Sequence, residues 1–337
     1  MKSWVKTWSA IVLSSSVCWA TQGGAAEEAI ATVAPPLVVV PEKRDDDLRV
    51  FLANGEVVKG AAALELMAAG KTDLNVWVAG NQFFAMADVV RGFQKAHNRK
   101  PAVGVITLPP GLVLGATLAG GWKYGDKVYR FRPDVIGQVD VPSLKKLKQS
   151  GLAESYVIYM HNELTLMVGK GNPKQVKGIS DLGRADLQVM LPNPINEGIM
   201  KIYAKPVLQT RGLWDKLANG QECEACRTQP NVYFTSVHHR EIPEGIKSGE
   251  TDVGIVWATE VQHALAEGAP VESVTLPVTD SLKNEVIYVA APLRNAQHAQ
   301  NAAAYIAYLG SPAGQDAYAN HGFVRADADE VVGRVIP

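Results

Sequence analysis

From residue 74 onward the chain alternates short apolar runs with segments of helical period, which restricts it to a narrow group of folds. Leu74-Asn75-Val76-Trp77-Val78 has the length of a buried strand. A turn at Ala79-Gly80-Asn81-Gln82 follows, and residues 83–97 then place Phe84, Val89 and Phe93 at helical spacing. Residues 103–108 form a second strand-like run, closed by Pro109-Pro110-Gly111, and residues 112–118 suit a helix start. The pattern returns in Val135-Ile136-Gly137 before a lysine-rich helix over 141–149, and in Leu187-Gln188-Val189-Met190 before a helix beginning near Glu197. Strands separated by helices run parallel and are covered on both faces. In such sheets ligands bind where the carboxyl ends of strands meet helix N-termini, which singles out loops 79–82 and 191–198.

The preceding residues divide in two. Residues 1–26 carry Lys2 and Lys6, an apolar run over 8–17 and small residues ending in Gly24-Ala25-Ala26, the pattern of a secretory signal cleaved after Ala26, with Ala20 as second choice. The run is shorter than the about 20 residues a spanning helix needs, and Cys18 is expected to leave with the signal. Residues 27–73 read as an N-terminal extension. Pro35-Pro36 and Pro41 punctuate it, and Glu42-Lys43-Arg44-Asp45-Asp46-Asp47 reads as a solvated charge run. Asn54-Gly55 suits a two-residue type I′ hairpin turn between residues 48–52 and 57–58, with a helix over 61–69.

Lys and Arg number 33 against 34 Asp and Glu, so no overall field draws the chain to nucleic acid. In an exported protein, Cys223 and Cys226 of Glu-Cys-Glu-Ala-Cys-Arg are expected to form a local disulfide. Haem attachment would need His where Arg227 stands, and a zinc site would need further ligands.

The stretch His161-Asn162-Glu163-Leu164-Thr165-Leu166-Met167-Val168-Gly169-Lys170-Gly171-Asn172-Pro173-Lys174, followed by Gly178-Ile179-Ser180-Asp181-Leu182, resembles the crossover segment of type II periplasmic solute-binding proteins, most closely their molybdate-binding-protein-like branch. The likeness continues through Gly212-Leu213-Trp214-Asp215-Lys216-Leu217, through residues 245–257, and through Ala302-Ala303-Ala304-Tyr305-Ile306-Ala307-Tyr308-Leu309 to His321-Gly322-Phe323. It implies an α/β, two-lobed type II periplasmic-binding-protein-like fold. Each lobe is then a mainly parallel sheet flanked by helices, the two joined by two crossover strands. Lobe one would span 74–160 with 280–337, and lobe two 161–279.

The resemblance also implies a ligand-binding set. It falls on Asn81, Gln82 and Phe83; on Pro110 and Gly111; on Asn193, Asn196 and Glu197; on His238, His239 and Arg240; and on Trp257, where the family often has a tyrosine. Oxyanion binders of this type place serine hydroxyls in the first two loops. Here Asn81 stands in the first, and residues 108–114 contain no Ser or Thr, so molybdate or sulfate ranks below an unidentified ligand with an apolar part. His238-His239-Arg240-Glu241 is read as ligand contact first, as a solvated helix start second, and last as a metal site recruiting Glu197 or His161. Trp257 could equally be core packing, Asn81 and Asn193 turn formers, and Glu197 a helix-end charge.

The expected protein is therefore a periplasmic, monomeric binder of a small molecule that serves a membrane transporter permease, without cofactor, nucleic-acid partner or catalytic residues. The alternatives are an accessory or sensor protein of the same fold and, less favoured, a periplasmic enzyme. No nucleophile motif follows a strand.

Overall fold

The computed structural model describes residues 35–97, 101–283 and 285–337, so the signal-like segment and Cys18 lie outside the described residues. Leu74–Ala79, Val103–Leu108 and Val135–Gln138 run parallel, with Leu74–Ala79 in the middle. Every residue of the three is buried. That is why these strands are unbroken in hydrophobicity rather than alternating: helices cover both faces. Of the intervening helices, Met86–Ala96 follows the first strand through the tight turn Gly80–Phe84, and Pro110–Ala119 starts two residues after the second.

A second sheet has the order Cys226–Gln229, Val232–Phe234, Val189–Leu191, Val253–Trp257, Leu164–Gly169, Val271–Val274. Its parallel part is again three strands, with Val189–Leu191 in the middle. The expectation of mainly parallel sheets is corrected in both lobes, because antiparallel strands flank each parallel centre. The chain path explains this. Ser155–His161 leaves the first sheet and, two residues later, becomes Leu164–Gly169 of the second, while Ile287–Pro292 returns beside it. Strands that leave and return through one gap run in opposite directions.

The segment read as an extension is built into the first sheet. Leu48–Phe51 pairs antiparallel with Val103–Leu108 and covers an edge that would otherwise offer unpaired backbone groups. Val40, Leu48, Val50, Leu64 and Met67 share one core with Trp77 and Trp122, whose rings lie 5.2 Å apart. The hairpin at Asn54-Gly55 forms, but not with a type I′ turn. Gly55 alone of the pair has positive φ, its N–H bonds to Leu52 O, and Leu52 N–H to Glu56 O. This is a type I turn closed by a glycine bulge, which needs one left-handed residue instead of two.

Gly104 shows how tightly the Gly60–Ala68 helix lies on this sheet. A Cβ there would stand 2.4 Å from Asn75 Oδ1 and 2.6 Å from Met67 Cγ. Gly104→Ala is therefore expected to destabilise the protein by about 1–3 kcal/mol in urea unfolding, as overpacking does. A neutral result would mean that the helix can lift without cost.

Candidate functional site

The site is organised by the start of the His238–Ser248 helix. Val237 precedes it in extended conformation, and the Glu241 carboxylate accepts from the backbone N–H groups of Ser236 and Val237 at 2.9 and 2.6 Å. This bond pair fixes the first turn, and its first two residues are His238 and His239. His238 stands between two carboxylates: Nδ1 is 2.9 Å from Glu197 Oε2, and Nε2 is 2.7 Å from Glu260 Oε1. Glu197 precedes the helical segment that opens at Ile199, and Glu260 lies in the first turn of Ala258–Ala266. Both carboxylates thus sit at helix N-termini, where the dipole favours negative charge.

His239 is buried and, among the described residues, neither of its ring nitrogens has a partner. Phe83 and Phe84 flank it with ring centroids at 6.5 and 6.0 Å. A methyl group on Gly80 would come within 3.1 Å of its Cε1. The turn after the first strand can approach His239 this closely because position 80 is glycine.

Charge separates the two histidines. Burial disfavours the His238 imidazolium, but the Glu260 and Glu197 carboxylates outweigh it and push its pKa up to about 10. Burial, reinforced by the positive charges of His238, Arg44, Arg240 and His263, holds His239 well below the ordinary histidine range. Burial raises Glu260. The stability contributed by the His238 charge is complete below the ordinary pKa of 6.5 and is lost as pH climbs toward 10. Chelator-treated protein is therefore expected to melt at a progressively lower temperature between pH 7 and 10. A His238→Gln variant should show a flatter profile, and parallel profiles would contradict the assignment.

The sheets meet around this cluster. Arg44 donates to Asp47 at 3.2 Å and to Ser236 O at 3.4 Å, and Arg240 pairs with Asp47 at 3.1 Å. Phe83 is held between two guanidiniums, Arg49 at 4.4 Å and Arg240 at 5.1 Å from its ring centroid. Phe84 stacks on His263 at 4.0 Å. A cavity of about 500 Å³ opens beside them, lined by Phe83, Phe84, His239, Arg240, Glu260 and His263 among others. The charge run at 42–47 is therefore not uniformly solvated. Arg44 and Asp47 are 1% and 0% exposed, whereas Asp45 and Asp46 face solvent, because the tight turn over Asp45–Asp47 puts residues three apart on its inner side.

The remaining expected residues divide by environment. Asn81 is buried and donates to Tyr288 OH, and Gln82 accepts from Tyr159 and Tyr318 within the core of the first lobe, turned away from the cavity. Asn193 closes a turn by accepting from Ile195 and Asn196 N–H, and Asn196 donates to Glu224 at 2.8 Å. Pro110 opens its helix, and Gly111 N–H bonds to Asn196 O at 3.3 Å. Trp257 packs on Tyr203 and Tyr288. His161, considered as a metal ligand, instead contacts Glu330 and Val286 O at the crossover. Cys223 and Cys226 form the disulfide. Sequence reading missed Arg44, Asp47 and Glu260; the only local signal for Glu260 was its place three residues after a strand-ending tryptophan.

The sequence pattern of the bacterial extracellular solute-binding protein family matches residues 74–324. The chain belongs to this family. Solved structures share the fold of this solute-binding protein. The periplasmic molybdate-binding protein of Azotobacter vinelandii has TM-score 0.60 and 20% identity, over 75% of this chain and 100% of the other. The Mycobacterium tuberculosis sulfate-binding protein SubI has TM-score 0.55 and 20% identity, over 76% and 88%. The substrate-binding protein of an Agrobacterium tumefaciens ABC transporter has TM-score 0.57 and 15% identity, over 81% of each. A comparison with the curated proteins finds no match. The family match begins at residue 74, so Arg44 and Asp47 are additions to the matched part. No helix of the described residues is long and apolar enough to cross a membrane.

Proposed function

We propose that this solute-binding protein works in the periplasm, captures a small solute between its lobes without chemical turnover, and delivers it to an ABC-type permease. The lobes are read as residues 74–160 with 280–337, the segment 35–73 counted with them, and residues 161–279. The observation that carries the reading is the unpartnered His239, buried between the Gly80–Phe84 turn of one lobe and the His238 helix of the other. Contacts made by both lobes select the closed state, the form a membrane partner can distinguish from the open one. The solute-binding and ABC-transporter descriptions of the structural neighbours support this reading.

Native mass spectrometry of the freshly purified chain is expected to show a bound species, and X-ray scattering a larger radius of gyration after its removal. A chain of unchanged size that retains no small molecule under native conditions would overturn the reading. Molybdate and tungstate are expected to raise the melting temperature less than the best other solute, because Asn81 is engaged by Tyr288 and the loop around Pro110 supplies no hydroxyl. A sharp shift at micromolar molybdate would contradict this.

A further inference from the structure

Buried polar atoms without partners concentrate in one place among the described residues. Both ring nitrogens of His239 and Glu197 Oε1 have none, beside a His238 whose two nitrogens stand 2.9 and 2.7 Å from the Glu197 and Glu260 carboxylates. A buried group left unpaired costs about 1–3 kcal/mol, so such a concentration calls for a ligand. His238, His239 and Glu260 each bring one donor atom within 4.8 Å of the others.

From this geometry we infer that His238, His239 and Glu260 bind one divalent first-row transition-metal ion at the lobe boundary, with Glu197 positioning His238. The inference rests on the proposed solute-binding cleft and identifies the class of what it holds. Two imidazoles and a carboxylate suit Zn²⁺, Co²⁺, Ni²⁺, Fe²⁺ or Mn²⁺. Calcium and magnesium prefer all-oxygen sites, and Cu⁺ prefers sulfur. Donors about 2.0–2.2 Å from one ion stand about 3.3–3.5 Å apart, so His238 Nε2 and Glu260 Oε1, now 2.7 Å apart, part slightly around the ion while the His239 ring rotates inward from within 4.8 Å. Glu197, 2.9 Å from Nδ1, keeps the His238 proton on that nitrogen and leaves Nε2 facing Glu260 and the ion. Gly80, Phe83 and Phe84 cover the ion from the other lobe, so it is shielded from water only when the lobes meet.

The test uses the tag-free, full-length chain stripped by a chelator, with Co²⁺ and Zn²⁺ as probes. Co²⁺ is expected to bind one per chain with visible d–d absorption, and Zn²⁺ to displace it. His239→Ala and Glu260→Gln should each abolish stoichiometric binding. Glu197→Gln should weaken it by about 10–100-fold, the usual effect of losing an outer carboxylate partner. His97→Ala, remote from the cleft, should bind as wild type. Circular dichroism of the metal-free variants separates lost ligation from lost fold. His239→Ala is the informative variant because His239 has no partner to lose in the metal-free protein.

Wild-type chain that takes up neither ion, or a folded His239→Ala that binds like wild type, would overturn the inference and leave His238 and its two carboxylates as a salt-bridged trio. If in that case native mass spectrometry still finds an organic solute in the chain, the solute-binding reading stands and only the metal falls. If it finds nothing, both fall.

Discussion

Glu260→Ala is expected to destabilise the metal-free protein by about 3–5 kcal/mol, measured by urea unfolding of chelator-treated samples. Breaking a buried ion pair by removing one partner costs that much because the other charge stays out of water and loses its compensation. Here the survivor is His238, itself 2% exposed, with only Glu197 left beside it. The helix start holds His238 in place through Glu241, so the imidazole cannot swing to solvent to escape the penalty. Glu260→Gln should be milder, since it keeps the volume and an acceptor oxygen. If alanine costs less than about 1 kcal/mol, the cluster is not the rigid, dry arrangement described, and water must reach it.

The same residue shows what a sequence can and cannot reveal. Leu74–Ala79 and Val103–Leu108 were legible because burial on both faces leaves an uninterrupted apolar run, and their loops followed from the rule that ligands gather at strand carboxyl ends. His238 and His239 were visible as an unusual pair of residue types. Glu260 was not, because it is joined to them only through the packing of two helices, and a glutamate near a helix start ordinarily caps it. Arg44 and Asp47 were misread for a related reason. Six consecutive charges look solvated, and nothing in composition reveals that a tight turn buries two of them against the opposite lobe. Gln82 lies in a loop expected to meet the ligand, but two tyrosines engage its side chain within the core, which no local pattern announces.

Asp47→Ala is expected to lower both stability and closure, whereas Arg240→Ala should affect mainly closure. Asp47 is fully buried and accepts from Arg44 and Thr107 in its own lobe while pairing with Arg240 across the boundary. Its removal strands the Arg44 guanidinium at 1% exposure, a loss of about 3–5 kcal/mol by the buried-pair argument. Arg240 is 28% exposed, so losing it forfeits a partly screened pair worth about 1 kcal/mol or less, and Asp47 keeps Arg44. Yet Arg240 also covers Phe83 and spans the two lobes, so its loss shifts the population toward the open form. The measurements are urea unfolding for stability and X-ray scattering, with and without bound solute, for closure. Equal unfolding losses in the two variants would show that the pair serves the fold rather than the motion. An Arg240→Ala chain that stays as compact as wild type after its solute is removed would show that Phe84 on His263 and Arg44 on Ser236 hold the lobes together without it.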